Sequence, residues 1–213
     1  MFMPWNAAAR LRTRLGDPKG AQSHNKKSTK NSGSTVMEKT LSSQRIYDGR
    51  AVKLRVDTVR KPNGKVTTRE IVEHSDAVAV VVLDSKDRVI MVRQYRKAVG
   101  KKLLEIPAGG VDPGEQPISS VRRELQEEIG YLPNKIDKLG GFYSAPGYCT
   151  EYLHLYLATY LIPSRLEAED TDEIEVVRVP LAKVSDLIAS GEIADAKSIA
   201  GLLRVMSLGL KGS

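Results

Sequence analysis

The chain has 213 residues, which suits one domain of roughly 150–200 residues with a tail to spare. Its hydrophobic content of 41% allows a sizeable core, no apolar run approaches the roughly 18 residues of a membrane span, and its one cysteine, Cys149, excludes an internal disulfide. The formal net charge is +7, but residues 1–36 hold seven Lys or Arg residues against a single Asp, so the remainder is nearly neutral and predicts no nucleic-acid binding. A lone cysteine is typical of a reducing compartment, and we expect a cytoplasmic protein that does not enter a membrane.

Residues 1–36 form a basic extension rich in polar, Gly and Lys residues. Such a composition buries too little apolar surface to fold, and we expect this segment to be disordered. Met37 opens a more ordinary sequence and is the predicted natural start, which would make residues 1–36 a non-native upstream segment. The alternative is an organelle-targeting segment, because the stretch is basic and poor in acidic residues.

Strand and helix patterns follow one another from residue 37 onwards. Within residues 37–75, "AVKLRVDTVR" and "VTTREIVEH" alternate on either side of the Asn-Gly turn in "KPNGK", which predicts an N-terminal antiparallel β-hairpin. Residues 76–210 begin with a second hairpin, "AVAVVVLDSKDRVIMVRQYR", whose apolar first strand is predicted to be buried on both faces. The short strand "KLLEIPAGG" then leads into an acidic helix.

The rest of residues 76–210 continues this interleaving of strands and helices. The stretches "KLGGFYSAPG" and "TEYLHLYLATYL" predict a strand, a loop and a strand, and "IEVVRVPLAKVSDLIASGEI" predicts a strand and a helix. The stretch "DAKSIAGLLRVMSLG" predicts a final amphipathic helix. Hairpins mixed with helices favour an α+β or α/β fold with a mixed β-sheet on which the helices pack.

The acidic helix has clear ends and an apolar stripe. Pro117 suits its first turn, and Gly130 suits its C-terminal end. Apolar residues recur between them at helical spacing. The predicted buried stripe consists of Ile118, Val121, Leu125 and Ile129.

Three glutamates crowd together on this helix. Glu124 and Glu128 fall one turn apart on the flank of the apolar stripe, and Glu127 lies further round. Like charges at this spacing destabilise a helix by about 0.2–0.5 kcal/mol per pair, and by more beside a buried face. A hard divalent cation such as Mg²⁺ would offset the repulsion. The alternative is a solvated acidic face balanced by Arg122 and Arg123.

The spacing around the helix favours the cation. From Gly109 the chain reads Gly, five residues, Glu115, seven residues, then "RELQEEIGY" from Arg123 to Tyr131. This segment resembles the Nudix box, G-x5-E-x7-R-E-U-x-E-E-x-G-U, in which U is a bulky aliphatic residue. Every specified position matches except the last, where Tyr131 replaces an aliphatic residue. From about Ser43 to Leu208 the chain resembles a Nudix hydrolase.

The resemblance implies an α/β/α sandwich with a mixed sheet and a reaction that hydrolyses a nucleoside diphosphate linked to another group, with Mg²⁺ or Mn²⁺ as cofactor. Glu124 and Glu128 would be the firmest metal ligands, joined by Glu127 and the backbone carbonyl of Ala108. Arg123 would hold the glutamates in place through charge-assisted hydrogen bonds.

A second set of residues resembles the ADP-ribose pyrophosphatase subgroup. Pro146 and Glu151 in "SAPGYCTE" match that subgroup, with Ala145 as a small departure, and "REIVEH", "VRQYR", "EIPAG" and "DAKSIAGLLR" look similar to its motifs. The subgroup commonly forms homodimers through its N-terminal strands, which the 37–75 hairpin could do here. The implied substrate contacts are Arg69, Arg96, Gly109, Gly110, Pro146 and Glu151; for the two arginines, an ordinary surface position is the alternative.

The general base has several candidates. In some Nudix enzymes a box glutamate serves, here Glu127. In this subgroup the base often lies in an acidic loop, here "EAEDTDEIE", where Asp172 and Glu173 are nearest and Asp170 stands behind them. The alternative for that loop is a solvated run of charges.

The resemblance therefore predicts a Mg²⁺-dependent enzyme that cleaves ADP-ribose into AMP and ribose 5-phosphate. Alternative substrates are another nucleoside-diphosphate sugar or a dinucleotide. An alternative of another class is a Nudix module that senses a nucleotide without cleaving it. Such modules usually lose box glutamates, whereas this sequence keeps Glu115, Glu124, Glu127 and Glu128.

Overall fold

The N-terminal part of the fold is a three-stranded antiparallel sheet. The computed structural model describes residues 37–167 and 173–209, and it opens with β1 (Lys39–Asp48), β2 (Lys53–Arg60) and β3 (Val66–Glu73) in the order β1-β2-β3. The predicted hairpin is confirmed as β2 and β3, joined by a turn in which Gly64 has a φ of 83°. The prediction missed β1, which pairs with β2 along its length although every one of its residues is exposed.

A seven-stranded mixed sheet forms the centre. It consists of β4 (Ala77–Leu83), β5 (Arg88–Arg96), β6 (Lys101–Glu105), β7 (Ala108–Gly110), β8 (Tyr131–Tyr143), β9 (Tyr152–Pro163) and β10 (Glu175–Pro180). The strand order is β10-β5-β4-β9-β8, and among the described strands only β4 and β9 run parallel. Strands β4 and β5 pair at two positions, Val82↔Ile90 and Leu83↔Val89. Elsewhere β6 pairs with β5, and β7 pairs with β4. This arrangement inserts the glycine-rich strand β7 beside the start of β4.

Helices cover both faces of this sheet. The helices are α1 (Pro117–Glu128), α2 (Val184–Ala189), which a 3-10 turn at Leu181–Lys183 precedes, and α3 (Ala196–Ser207). Strand β4 is buried along its whole length, as predicted, because its alternate side chains enter two different cores. One core contains Val81 and Leu202 of α3, and the other contains Val80 and Leu125 of α1. The predicted α/β/α sandwich is confirmed.

Helix α1 keeps its predicted ends but changes one member of its stripe. It starts at Pro117, and Gly130 follows it with a φ of 75°. Val121 and Leu125 are fully buried, whereas Ile118 is 39% exposed, so its assignment to the stripe was wrong. The first turn buries Ser120 instead, whose hydroxyl donates to Glu115 Oε2 at 2.8 Å.

None of the helices within the described ranges is long and apolar enough to cross a membrane. The predicted basic extension, residues 1–36, lies outside those ranges.

Candidate active site

Two of the helix glutamates are buried beside the glycine-rich strand. Glu124 is 9% exposed and Glu128 is 7% exposed, because α1 presents both on the flank of its apolar stripe. Burial raises the pKa of Glu128 to about 8, and the neighbouring charge of Glu124 adds to this effect. Burial also raises the pKa of Glu124, against the opposing effect of Arg123. The backbone N–H of Ala108 donates to Glu128 Oε2 at 3.2 Å and ties the two elements together.

Strand β7 approaches Glu124 so closely that a side chain at one position would displace the carboxylate. A Cβ at Gly109 would lie 1.9 Å from Cδ of Glu124, far inside van der Waals contact. A Cβ at Gly110 would meet nothing within 4 Å. Ala108 packs against the core on the α3 side. The strand therefore separates two environments, with the α1 carboxylates on one side and the α3 core on the other.

Arg123 connects the acidic residues to this strand. Its Nη1 donates to Glu124 Oε1 at 2.7 Å and to Glu127 Oε2 at 3.3 Å. Its Nη2 donates to the carbonyl oxygen of Gly110 at 3.0 Å and to Glu115 Oε2 at 3.1 Å. The bond from Arg123 lowers the pKa of Glu115. Although its own burial works in the opposite direction, these carboxylates raise the pKa of Arg123, so it stays charged and holds four groups in fixed positions.

A cleft of about 330 Å³ opens beside β7, and Ala108, Gly109 and Gly110 line it. It lies at the starts of the parallel strands β4 and β9, with α3 on its flank. Residues that contribute to its wall are His74, Arg96, Gly109, Gly110, Glu151 and Lys197. This space is the candidate substrate site, and we call it the catalytic cleft.

A buried carboxylate supports the basic wall of the catalytic cleft. Glu105 is 1% exposed, and it accepts hydrogen bonds from Arg96 Nη2 at 2.7 Å and Lys197 Nζ at 2.6 Å. Lys197 also donates to Asp195 Oδ2 at 2.9 Å, and that oxygen caps α3 by accepting from the backbone N–H of Ser198. The sequence analysis noted the motifs "EIPAG" and "DAKSIAGLLR" but assigned no role to Glu105, Asp195 or Lys197 within them. An Asp three residues before a Ser at a helix start is a capping pattern that would have located Asp195.

Comparisons with known proteins give the family. A model described as "NUDIX domain" matches residues 73–202, which is more than half of the chain. The chain belongs to the Nudix family. A second model, "Nucleoside diphosphate sugar hydrolase N-terminal domain", matches residues 38–72, the sheet that precedes the Nudix fold.

Several relatives of this Nudix hydrolase cover most of its length. An ADP-ribose pyrophosphatase of Bacillus subtilis (strain 168) is 39% identical, over 77% of this chain and 90% of its own. A methanol dehydrogenase activator of Bacillus methanolicus is also 39% identical, over 78% of this chain and 91% of its own. A solved structure titled "Crystal structure of ADP compounds hydrolase" superimposes with a TM-score of 0.74 at 25% identity, covering 80% of this chain and 93% of that one.

The expected site residues of this Nudix chain fall in different places. Glu151 and Arg96 contribute to the catalytic cleft, with Gly109 and Gly110. Arg69 lies on β3, where its Nε and Nη2 donate to the carboxylate of Glu38 at 3.0 and 2.5 Å. Pro146 is exposed in the loop between β8 and β9, outside the wall of the cleft.

The candidates for the general base lie in two places, in or next to residues 168–172, which the structure does not describe, and on α1. Glu173 is an exposed turn residue just before β10, beside Tyr95 and Lys102 of another surface hollow. Asp172 and Asp170 lie outside the described residues. Glu127 is partly buried and accepts a hydrogen bond from Arg123.

The Nudix-box carboxylates fit a divalent cation by their electrostatics. Within residues 37–167 and 173–209, no three acidic, His or Cys side chains converge as a ready-made cage. Glu124 and Glu128 are nevertheless buried, repel each other and have raised pKa values. A dication beside them would favour their charged forms. Mg²⁺ usually takes one or two carboxylates together with water and substrate phosphates, which matches this pair.

Proposed function

We propose that this Nudix hydrolase cleaves the pyrophosphate bond of ADP-ribose and releases AMP and ribose 5-phosphate. The observation that carries the proposal is a pair of buried carboxylates beside β7. Glu124 accepts a hydrogen bond from Arg123, and Glu128 accepts one from the backbone N–H of Ala108, which lines the catalytic cleft. The names of the Bacillus subtilis relative and of the superimposed ADP compounds hydrolase support the choice of an ADP-linked substrate.

The reaction uses a divalent cation, which we take to be Mg²⁺, with Mn²⁺ as the alternative. Glu124 and Glu128 would hold it, with Glu127 and the carbonyl oxygen of Ala108 as further ligands. When bound, the cation would neutralise negative charge on the phosphate oxygens and lower the pKa of a bound water. Arg123 orients two of these carboxylates at once, and the missing side chain of Gly109 lets the strand lie against Glu124.

A carboxylate takes the proton of the attacking water. We favour Glu127 as the base, because it is partly buried and a hydrogen bond from Arg123 fixes the position of its carboxylate. Glu173 and Asp172 are the competing candidates in the acidic segment before β10. The variant Glu127→Gln should lose activity at all pH values, whereas Glu173→Gln should stay close to wild type. If kcat/KM–pH profiles instead show the loss in Glu173→Gln and near wild-type activity in Glu127→Gln, the general base is Glu173.

The substrate binds along the catalytic cleft. Arg96 and Lys197 present their charges to the cleft and are anchored to the same buried carboxylate, Glu105, so that little side-chain ordering is needed on binding. Gly109, Gly110 and Glu151 complete the proposed contacts. Within one chain, Arg69 and Pro146 lie apart from this wall. We propose that they contact substrate in a homodimer, in which the N-terminal strands of one chain reach the substrate of its partner.

We divide the chain accordingly. Residues 37–75 form the element proposed for dimerisation, and residues 76–210 form the Nudix domain, preceded by the basic segment 1–36. We place the enzyme in the cytoplasm and assign it no nucleic acid or membrane partner. Sedimentation analysis of the chain from residue 37 onwards tests the dimer; a monomer at micromolar concentration would refute it.

The activity test compares substrates with and without Mg²⁺. We expect metal-dependent release of AMP and ribose 5-phosphate, fastest from ADP-ribose when GDP-mannose, UDP-glucose and NADH are measured beside it. Faster cleavage of another sugar nucleotide would favour the alternative substrate, another nucleoside-diphosphate sugar, which the family match at residues 38–72 also fits. The variant Glu128→Gln should lose turnover and keep substrate binding. Tight nucleotide binding by the wild type without any cleavage would instead indicate a sensing module.

A further inference from the structure

A second cavity lies at the other end of the parallel strands. It has a volume of about 510 Å³, and its wall includes Arg88, Tyr131, Asn134, Tyr160, Ile162 and Arg178. The catalytic cleft borders the first residue of β4, whereas this cavity borders Asp84, just after its last. At about 3.3 Å per residue, β4 separates the two by roughly 20 Å. We call the second space the distal cavity.

Within residues 37–167 and 173–209, one arginine of the distal cavity, Arg178, has no neighbouring carboxylate to neutralise its charge. Arg88 donates to Asp84 Oδ2 through Nε at 2.8 Å and Nη2 at 2.7 Å, so this pair is neutral as a whole. Arg178 makes no such pair: among the described residues, no carboxylate lies within 4.0 Å of its guanidinium. Its Nη2 donates instead to the hydroxyl oxygen of Tyr131 at 3.1 Å. Arg178 is thus an oriented cation with donors to spare.

Tyr131 is also the one departure of this chain from the Nudix box. An aliphatic residue would fill the same position in the core on the α1 side, where the ring of Tyr131 packs. The tyrosine adds a hydroxyl group that reaches Arg178 and forms part of the cavity wall. The hydroxyl oxygen accepts from Arg178, and its hydrogen is available to a ligand.

Tyr160 adopts an unusual backbone conformation at the same place. Its φ is 54°, which is rare for a bulky residue, and it interrupts the pairing of β8 and β9 between Lys135↔Thr159 and Pro133↔Leu161. Tyr160 is 55% exposed at the cavity wall, to which Asn134 also contributes. An exposed aromatic ring beside an oriented arginine suits a ligand with one flat and one anionic part.

We propose that the distal cavity binds a nucleoside monophosphate. The phosphate would contact Arg178 and the Tyr131 hydroxyl, and the base would stack on Tyr160 with Asn134 at its polar edge. Arginine matches the geometry of phosphate oxygens, and the volume lies within the roughly 300–1,000 Å³ of small-molecule sites. A single uncompensated cation fits a monoester better than a diphosphate. The site is independent of the proposed hydrolysis and does not overlap the residues assigned to it.

Calorimetry of the full chain with AMP, without divalent cations, tests the proposal. Wild type should show a site that Arg178→Gln and Tyr131→Phe each weaken by about tenfold or more, because each removes a hydrogen bond to a charged group. The matched control is Arg122→Gln, an exposed arginine on α1 away from both cavities, which should bind AMP as wild type does. Hydrolysis by Arg178→Gln should remain at the wild-type rate, which shows that the variant is folded.

The location is tested by photolabelling with 8-azido-AMP and peptide mapping. Labelling of the peptide that contains Tyr160, lost in Arg178→Gln, would support the proposal. Labelling confined to peptides of the catalytic cleft, or AMP affinity unchanged in Arg178→Gln, would overturn it. Inorganic phosphate that binds as tightly as AMP would overturn the assignment of a nucleoside and leave only an anion site.

Discussion

The close approach of β7 to Glu124 can be tested with two adjacent glycines. In Gly109→Ala, the new Cβ would start 1.9 Å from Cδ of Glu124, whereas ordinary contacts begin at 3.4 Å. The carboxylate must therefore move by about 1.5 Å, and displacements of about 1 Å in a catalytic group cost roughly 100-fold in rate. In Gly110→Ala, the new Cβ meets nothing within 4 Å, so this variant leaves Glu124 in place. Because Gly110 also lines the catalytic cleft, it serves as the matched control for kcat and not for KM.

The two variants should differ in activity and agree in stability. Glu124 contributes the flexible end of a side chain, which moves at little cost to the fold. Alanine also reduces the entropy of the unfolded chain, so we expect the free energy of unfolding to change by no more than about 1 kcal/mol in either variant. We expect kcat of Gly109→Ala to fall by about 100-fold or more, with a higher Mg²⁺ concentration for half-activation.

The assay is steady-state hydrolysis of ADP-ribose over a Mg²⁺ titration, with urea unfolding of the same samples. Near wild-type kcat in Gly109→Ala would refute the close packing of the strand on the carboxylate. An equal loss of kcat in Gly110→Ala would show that a side chain at either glycine of β7 is harmful and that the contact with Glu124 is not the cause.

Three further outcomes follow from burial and charge. Leu125→Ala should lower the free energy of unfolding by about 2–5 kcal/mol, because Leu125 is fully buried. Ile118→Ala should lower it far less, because Ile118 is 39% exposed. Equal losses in urea unfolding would restore Ile118 to the stripe. Burial alone would raise the pKa of Glu105, but its arginine and lysine partners hold this pKa below the ordinary 4.5. The free energy of unfolding should therefore fall as the pH drops below about 4.5, and it should fall less steeply in Glu105→Gln. Parallel acid-unfolding curves of the two proteins would contradict this. Arg123→Gln should lose most turnover while its exposed neighbour Arg122→Gln keeps it, and equal kcat values in the two variants would remove Arg123 from the positioning role.

The local pattern of the sequence predicted most elements of the Nudix fold. An Asn-Gly turn between alternating strands, a wholly apolar strand, and a helix between Pro117 and Gly130 all have causes within a few residues of chain. The spacing from Gly109 to Tyr131 also indicated which carboxylates share a helix flank. Such patterns can be predicted from the sequence because neighbouring residues set the backbone conformation and the side-chain period.

The tertiary structure decided what lies against these elements. The exposed strand β1 has no apolar alternation and is held by its pairing with β2, so its sequence carried no strand signal. Glu105 and Lys197 meet across 92 residues of chain, and Gly109 meets Glu124 only because β7 enters the gap between β4 and β5. The sequence by itself determined the elements and the residues available for chemistry. Packing between distant segments decided which of those residues share a site, because such contacts depend on the whole sheet and not on any local period.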